Sequence, residues 1–292
     1  MTLPSATLAS QLRDALLAGR NADGGWGYFV EKRSRLEPTA AASLGLGRPG
    51  ELTRVVDAWP KRGALVMEPA IETANYAANA QAALVAMSGE RAHADWALRV
   101  LGDISTVEGR KTATGDPAIS RQDNALRGWP WVDGTFSWAE PTAWCVLALK
   151  RGRHRAPSPP APGRVDEGER LLIDRVCDPG GWNYGNSNVF RRNLPPYVPT
   201  TAVALLALQG RAGPAVSRSI AFLQQHRLEE RSGLALALTA ICLGVYRQRN
   251  ADVLEALGDQ WAGTRFLGNL YATALALYAI TGAASGFEAL RV

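Results

Sequence analysis

A loop built from Gly and Trp returns along this chain, each time followed by a helix dense in Ala and Leu, and no other feature restricts the fold as strongly. Asp23-Gly24-Gly25-Trp26-Gly27-Tyr28 leads to Glu37-Pro38-Thr39-Ala40, and Gly128-Trp129-Pro130-Trp131 leads through Trp138 to Glu140-Pro141-Thr142-Ala143. Asp178-Pro179-Gly180-Gly181-Trp182-Asn183-Tyr184 leads to Val198-Pro199-Thr200-Thr201-Ala202. Three weaker copies keep only the helical half, beginning near Glu72, Ser232 and Leu270. The six units start five intervals apart between Glu37 and Leu270, which gives about 47 residues each, the length of a helical hairpin with its loops.

The two helices of a unit differ. First helices, such as 7–17 with Leu8, Leu12 and Leu16 or 94–104 with Trp96, Val100 and Ile104, carry one apolar stripe and charges elsewhere. Second helices, such as 143–149 and 234–245, are apolar nearly all round. A helix with water on one side belongs outside and one without belongs inside. Pro38, Pro141 and Pro199 mark the starts of inner helices, because proline has its φ preset and lacks an N–H that would be orphaned there. Glu37 and Glu140 are then expected as caps favoured by the positive end of the helix dipole.

The expected fold is all-α: a single α/α toroid, or barrel, of about six hairpins spanning residues 1–292, with an inner and an outer ring of helices. Irregular insertions are expected at about 105–127 and 151–169, the second rich in Pro and Arg. Trp26 and Trp182 are expected on the outer surface of the barrel, covering a helix end with the indole N–H bonded to a carbonyl.

Composition narrows the function. Hydrophobic residues make up 47% of the 292, enough for a sizeable core. The longest near-continuous apolar stretch, 233–246, is too short to cross a bilayer core of about 30 Å, and no basic-then-apolar leader opens the chain. A cytoplasmic location is expected. Cys145, Cys177 and Cys242 form no pairing or zinc pattern, so buried inert thiols are expected and no metal or other cofactor is implied. The net charge of +5 comes from scattered arginines, which argues against nucleic acid as a partner and leaves peripheral contact with an anionic membrane as an option.

The Gly-Gly-Trp loops and the Thr142-Ala143-Trp144 to Leu149 helix resemble the prenyltransferase and squalene-cyclase repeat family. That resemblance implies an α/α barrel, the fold used there by triterpene cyclases, protein prenyltransferase β subunits and thioester domains. Class II terpene cyclases of the family protonate an olefin with the middle acid of a DxDD motif that opens an inner helix. Here Glu140 and Pro141 fall where the last two acids of that motif would be, and no DxDD occurs in the chain. The zinc site of the prenyltransferases has no counterpart, since His93, His154 and His226 fall in outer-helix or loop segments, and the thioester sequence Gly-Cys-Gly-Glu-Gln is absent.

Four of the nine tryptophans, 129, 131, 138 and 144, lie close together around Asp133 and Glu140. A carboxyl group beside indoles is desolvated, which suits it to general acid work, and aromatic faces stabilise cations. Glu140, Asp133 and Glu37 are therefore the candidate catalytic residues. Glu37, Glu72 and Glu140 are expected at equivalent points around one mouth of the cavity. Glu72, Asn75, Tyr76, Trp131, Trp138, Trp144, Tyr197 and Tyr271 are the candidate substrate contacts. The first functional expectation is a cyclase or isomerase acting on a hydrophobic small molecule, an isoprenoid, with an inner-helix glutamate as acid. The alternatives are a non-catalytic lipid or isoprenoid binding protein and a carbohydrate-active α/α-barrel enzyme.

Overall fold

The computed structural model describes residues 5–68, 72–111, 119–153, 155, 162–282 and 289–292. Among the described residues, six helices form an inner ring: α2 (Leu36–Leu46), α4 (Tyr76–Ala86), α6 (Ala139–Arg153), α8 (Val198–Ala207), α10 (Gly233–Val245) and α12 (Leu270–Thr281). Six alternate with them on the outside: α1 (Ser5–Ala18), α3 (Pro49–Asp57), α5 (Arg91–Ser105), α7 (Pro162–Asp174), α9 (Pro214–His226) and α11 (Ala251–Thr264). Each inner helix packs on the next, and α12 packs on α2, so the ring closes into an α/α toroid.

Burial follows the sequence pattern. All eleven residues of α4 are buried, whereas α1 buries only Leu8, Leu12 and Leu16 and α5 buries the stripe from Trp96 to Ile104. Each fully buried leucine of such a stripe contributes roughly 2 kcal/mol through removal of apolar surface from water. Small residues let the inner helices approach closely. At Gly45 an added Cβ would lie 2.4 Å from the Ala274 carbonyl oxygen, so the seam between α2 and α12 accepts no larger residue there.

The Gly/Trp loops act as repeated stitches. The indole N–H groups of Trp26, Trp129 and Trp182 donate to the carbonyls of Leu16, Ile104 and Leu172, at the ends of the outer helices α1, α5 and α7, at 2.7, 2.8 and 2.7 Å. Their backbone N–H groups donate to Thr39, Thr142 and Thr201 Oγ1, each the fourth residue of the following inner helix. Two residues on, the carbonyls of Tyr28, Trp131 and Tyr184 accept from the N–H groups of Leu270, Tyr76 and Ala139, each the first residue of the preceding inner helix around the ring. One loop thus ties an outer helix and two inner helices together. All three indoles are wholly buried, so Trp26 and Trp182 do not lie on the outer surface as expected, because they plug the gap between the helices they join. In two loops a guanidinium covers the ring as well, Arg20 over Trp26 and Arg164 over Trp129.

Three local expectations need correction. Pro38 and Pro141 are the third residues of their helices and Pro199 the second, so Glu37 and Glu140 lie inside the first turn and are not caps. The cap of α2 is Arg35, and the Leu36 N–H donates at 2.8 Å to the buried Glu68 carboxylate, which also pairs with Arg35. The 151–169 insertion is shorter than expected: α6 runs to Arg153, and Pro162 opens the outer helix α7, whose Val165, Leu171 and Leu172 are buried. Residues 112–118, 154 and 156–161 of the two insertions, including His154, lie outside the described residues. Two short antiparallel hairpins, β1 (Lys61–Arg62) with β2 (Leu65–Val66) and β3 (Asn188–Val189) with β4 (Arg192–Asn193), were not anticipated. The cysteines are all buried and free.

Candidate active site at the mouth of the ring

Since the inner helices run parallel around the ring, their amino ends share one mouth, and the second residue of each stands at the same level. These residues are Glu37, Ala77, Glu140, Pro199, Leu234 and Tyr271. The buried Ala77 separates the two acids in ring order.

Glu37 is held on both oxygens. Tyr28 Oη donates to Oε2, and Gln81 Nε2 donates to Oε1 at 2.8 Å. Tyr271 Oη in turn donates to Gln81 Oε1 at 3.2 Å, and its ring meets that of Tyr28 edge to face, with centroids 6.1 Å apart. Burial together with the Glu37 charge pushes both phenols above their ordinary range, so they remain donors at any physiological pH.

Glu140 is treated differently. Its side chain is only partly exposed, and among the described residues no lysine or arginine pairs with it. Desolvation, reinforced by the negative charge of Glu37, pushes its carboxyl up to about 7, and the Trp144 indole one helical turn on opposes the shift. The site therefore contains one carboxylate fixed by neutral donors and one carboxyl poised to exchange a proton near neutrality.

The remaining expectations divide. Trp144 is buried under Glu140. Trp131 and Trp138 are half-buried and, with Phe136 and Tyr184, line an apolar groove of about 450 Å³ on the rim. Tyr197 is exposed at that rim, its ring 5.2 Å from that of Tyr184.

Asp133 does not join Glu140. It accepts from Arg62 at 2.6 Å and from Tyr76 Oη, and the guanidinium bond holds its carboxyl below its ordinary value, which unsuits it for a general acid. Tyr76 is thereby committed to that pair, and its phenol is pushed up to about 12, mainly by burial. Asn75 caps α4 by accepting from the Ala78 N–H at 3.0 Å. Glu72 is exposed ahead of α4, and the position equivalent to Glu37 is occupied by Ala77.

Sequence reasoning missed Tyr28 and Gln81 as members of the site. Both had a signal. Tyr28, Trp131 and Tyr184 each follow a loop tryptophan by two residues, and Gln81 is a polar residue in an alanine helix that is buried throughout.

The same face carries most of the exposed grease. Of ten exposed large apolar side chains among the described residues, eight (Phe29, Val30, Ile119, Phe136, Tyr184, Phe190, Tyr197 and Leu267) lie in the loops entering α2, α6, α8 and α12. Leu267 is 82% exposed and Phe190 69%. Both have positive φ, as do their neighbours Arg265, Phe266 and Arg191, a backbone state that bulky residues rarely adopt.

No protein-family profile matches the chain, and no curated protein does. Solved structures do match over nearly its full length. The type II terpene cyclase MstE from Scytonema, in complex with merosterolic acid A, is 17% identical, with 97% of this chain and 99% of that chain covered and a TM-score of 0.53. A β-1,3-1,4-glucanase from Paenibacillus sp. X4 is 11% identical, with 96% and 92% covered and a TM-score of 0.58. A reducing-end-xylose releasing exo-oligoxylanase is 11% identical, with 98% and 94% covered and a TM-score of 0.55. These similarities establish that the chain has the α/α-toroid architecture found in both a terpene cyclase and glycosidases.

Proposed function

We propose that the protein is an isoprenoid-handling enzyme, a cyclase or isomerase in which Glu140 transfers a proton at the mouth of the ring. The observation that carries this reading is the unpaired Glu140 carboxyl, set among aromatic rings with the Glu37 carboxylate as its nearest charge. An acid with a pKa near the working pH is suited to proton transfer. Burial, reinforced by the charge of Glu37, lets Glu140 hold a proton up to near neutrality, and Glu37, fixed by Tyr28 and Gln81, stabilises positive charge that develops on the substrate. Trp131 and Trp138 offer apolar faces to a chain and quadrupoles to a cation. MstE has been solved with geranylgeranyl dihydroxybenzoate as substrate, which supports a greasy ligand for a ring of this kind.

The apolar rim suits an anionic bilayer. Lys32, Arg33, Arg191, Arg192 and Arg265 flank its exposed side chains, so the mouth faces the phase in which an isoprenoid is dissolved. A second reading, hydrolysis of a carbohydrate, is favoured by the two carboxyl groups at the mouth and the open aromatic groove on the rim.

The test is incubation of the purified protein with prenyl alcohols, polyprenyl hydrocarbons and xylan- or glucan-derived oligosaccharides, followed by mass spectrometry of the products. Conversion of a prenyl substrate by the wild type, reduced by at least about a hundredfold in Glu140→Gln, is expected. Prenyl ligand bound but never converted would establish a binding protein instead, and cleavage of oligosaccharide alone would move the assignment to the glycosidases.

A further inference from the structure

Beside the rim groove lies a second, more enclosed cavity of about 230 Å³, and Phe136 and Trp138 belong to the walls of both. Its chemistry is unlike the groove's. Three carboxamides, Gln122, Asn124 and Asn186, and two guanidiniums, Arg110 and Arg175, face the aromatic walls. Gln122 Nε2 donates to Asn186 Oδ1 at 2.7 Å, which fixes the amide, and the buried Gln122 Oε1 at the cavity wall has no donor. Arg175 is buried and engaged by Asp174 and by the Asp123 carbonyl. Arg110 is exposed, and no side-chain bond ties it to another described residue.

Each component selects. An orphaned acceptor is a standing cost that a ligand O–H or N–H would remove. A diphosphate, which offers only acceptors, leaves that cost in place. Carboxamides beside an indole face combine donors and acceptors in the plane of a ring with stacking above it. The volume is below that of a drug-sized pocket and holds one ring, not a chain.

We propose that this cavity is a head-group subsite for a six-membered ring bearing hydroxyl groups, so that the substrate is an isoprenoid chain joined to such a ring. The inference rests on the isoprenoid reading above and adds the other end of the molecule. The ring stacks on Trp138, with its hydroxyls on the Gln122 and Asn186 amides and Arg110. The chain leaves through the shared Phe136–Trp138 wall into the apolar groove, on the rim above α6, whose second residue is Glu140.

The experiment is equilibrium binding, by calorimetry or native mass spectrometry, of four probes carrying the same prenyl chain: a dihydroxyphenyl conjugate, a glucoside, the free alcohol and the hydrocarbon. One ring-bearing probe is expected to bind at least about tenfold tighter than the alcohol, and which of the two it is identifies the ring as phenolic or sugar. Gln122→Leu and Arg110→Ala lie in loops outside the helical core, and each is expected to erase that preference without weakening binding of the alcohol. Equal affinity for all four probes, or a preference that survives both substitutions, would overturn the subsite. Failure of the isoprenoid reading looks different: no prenyl probe binds, while free dihydroxybenzoate or methyl glucoside still binds in a Gln122-dependent way.

Discussion

Glu140 has a consequence for stability as well as for chemistry. Its carboxyl is pushed up from 4.5 to about 7 in the folded chain, so between those values the folded state binds more protons than the unfolded one. Stability contributed by this group is therefore intact below about pH 4.5 and falls as the pH rises toward 7. At 1.36 kcal/mol per unit the ceiling is about 3 kcal/mol, and access to water at the mouth reduces it. Glu140→Gln removes the charge, so the variant is expected to be more stable than the wild type at pH 8, by about 1–2 kcal/mol, and equal to it near pH 4.5. Denaturant unfolding at the two pH values checks this independently of any substrate. Burial raises the Glu140 carboxyl most and the Glu37 charge adds to it, so Glu37→Gln should move the alkaline limb of the pH–rate profile, where the acid loses its proton, to lower pH, which a profile of the variant against wild type reads directly. Glu140 was legible because aromatic residues crowd it in sequence. Its partner was not: Asp133 lies seven positions away in the chain but is taken by Arg62, whereas Glu37, about a hundred positions away, becomes a neighbour only when the ring closes.

At the scale of the element, the recurring contact is a threonine on the fourth residue of an inner helix holding the N–H of a loop tryptophan. Thr142 Oγ1 accepts from Trp129 at 3.0 Å within a fully buried environment, and Thr39 and Thr201 repeat the arrangement. Thr142→Val conserves the shape and leaves a buried N–H unpartnered, so a loss of about 1–3 kcal/mol is expected, measured as a lower urea midpoint with an unchanged slope. An unchanged midpoint would mean that packing of the indole alone holds the loop. The helices themselves could be read from sequence because burial is periodic: one stripe for α1 and α5, all round for α4 and α10. Helix α7 was read as loop because the prolines before it and the charges within it, from Arg164 to Arg170, mask a stripe of only a few apolar residues. The cross-ring bonds from Tyr28, Trp131 and Tyr184 carbonyls to neighbouring helices were invisible in the sequence, since a backbone acceptor has no residue type.

At the scale of the molecule, the asymmetry between the two ends of the ring decides how it meets its surroundings. The inner-helix amino ends gather the acids, the aromatic groove and eight of the ten exposed large apolar side chains among the described residues. Two tips carry this apolar surface at a conformational cost, since Phe190 and Arg191 in one and Arg265, Phe266 and Leu267 in the other sit at positive φ. Among the described residues no helix is long and apolar enough to cross a membrane. The proposed contact with an anionic bilayer would draw on the apolar area of Phe190 and Leu267 buried in the headgroup boundary and on the attraction of the flanking arginines to the surface potential, which salt screens. The double variant Phe190→Asp with Leu267→Asp leaves the helical rings untouched, because both side chains project into solvent. Sedimentation with phosphatidylglycerol-containing vesicles should fall at least about tenfold in that variant, and wild-type binding should weaken between 50 mM and 500 mM salt. Equal sedimentation of variant and wild type would leave the rim as a rim only, with its apolar side chains facing water for a reason other than lipid.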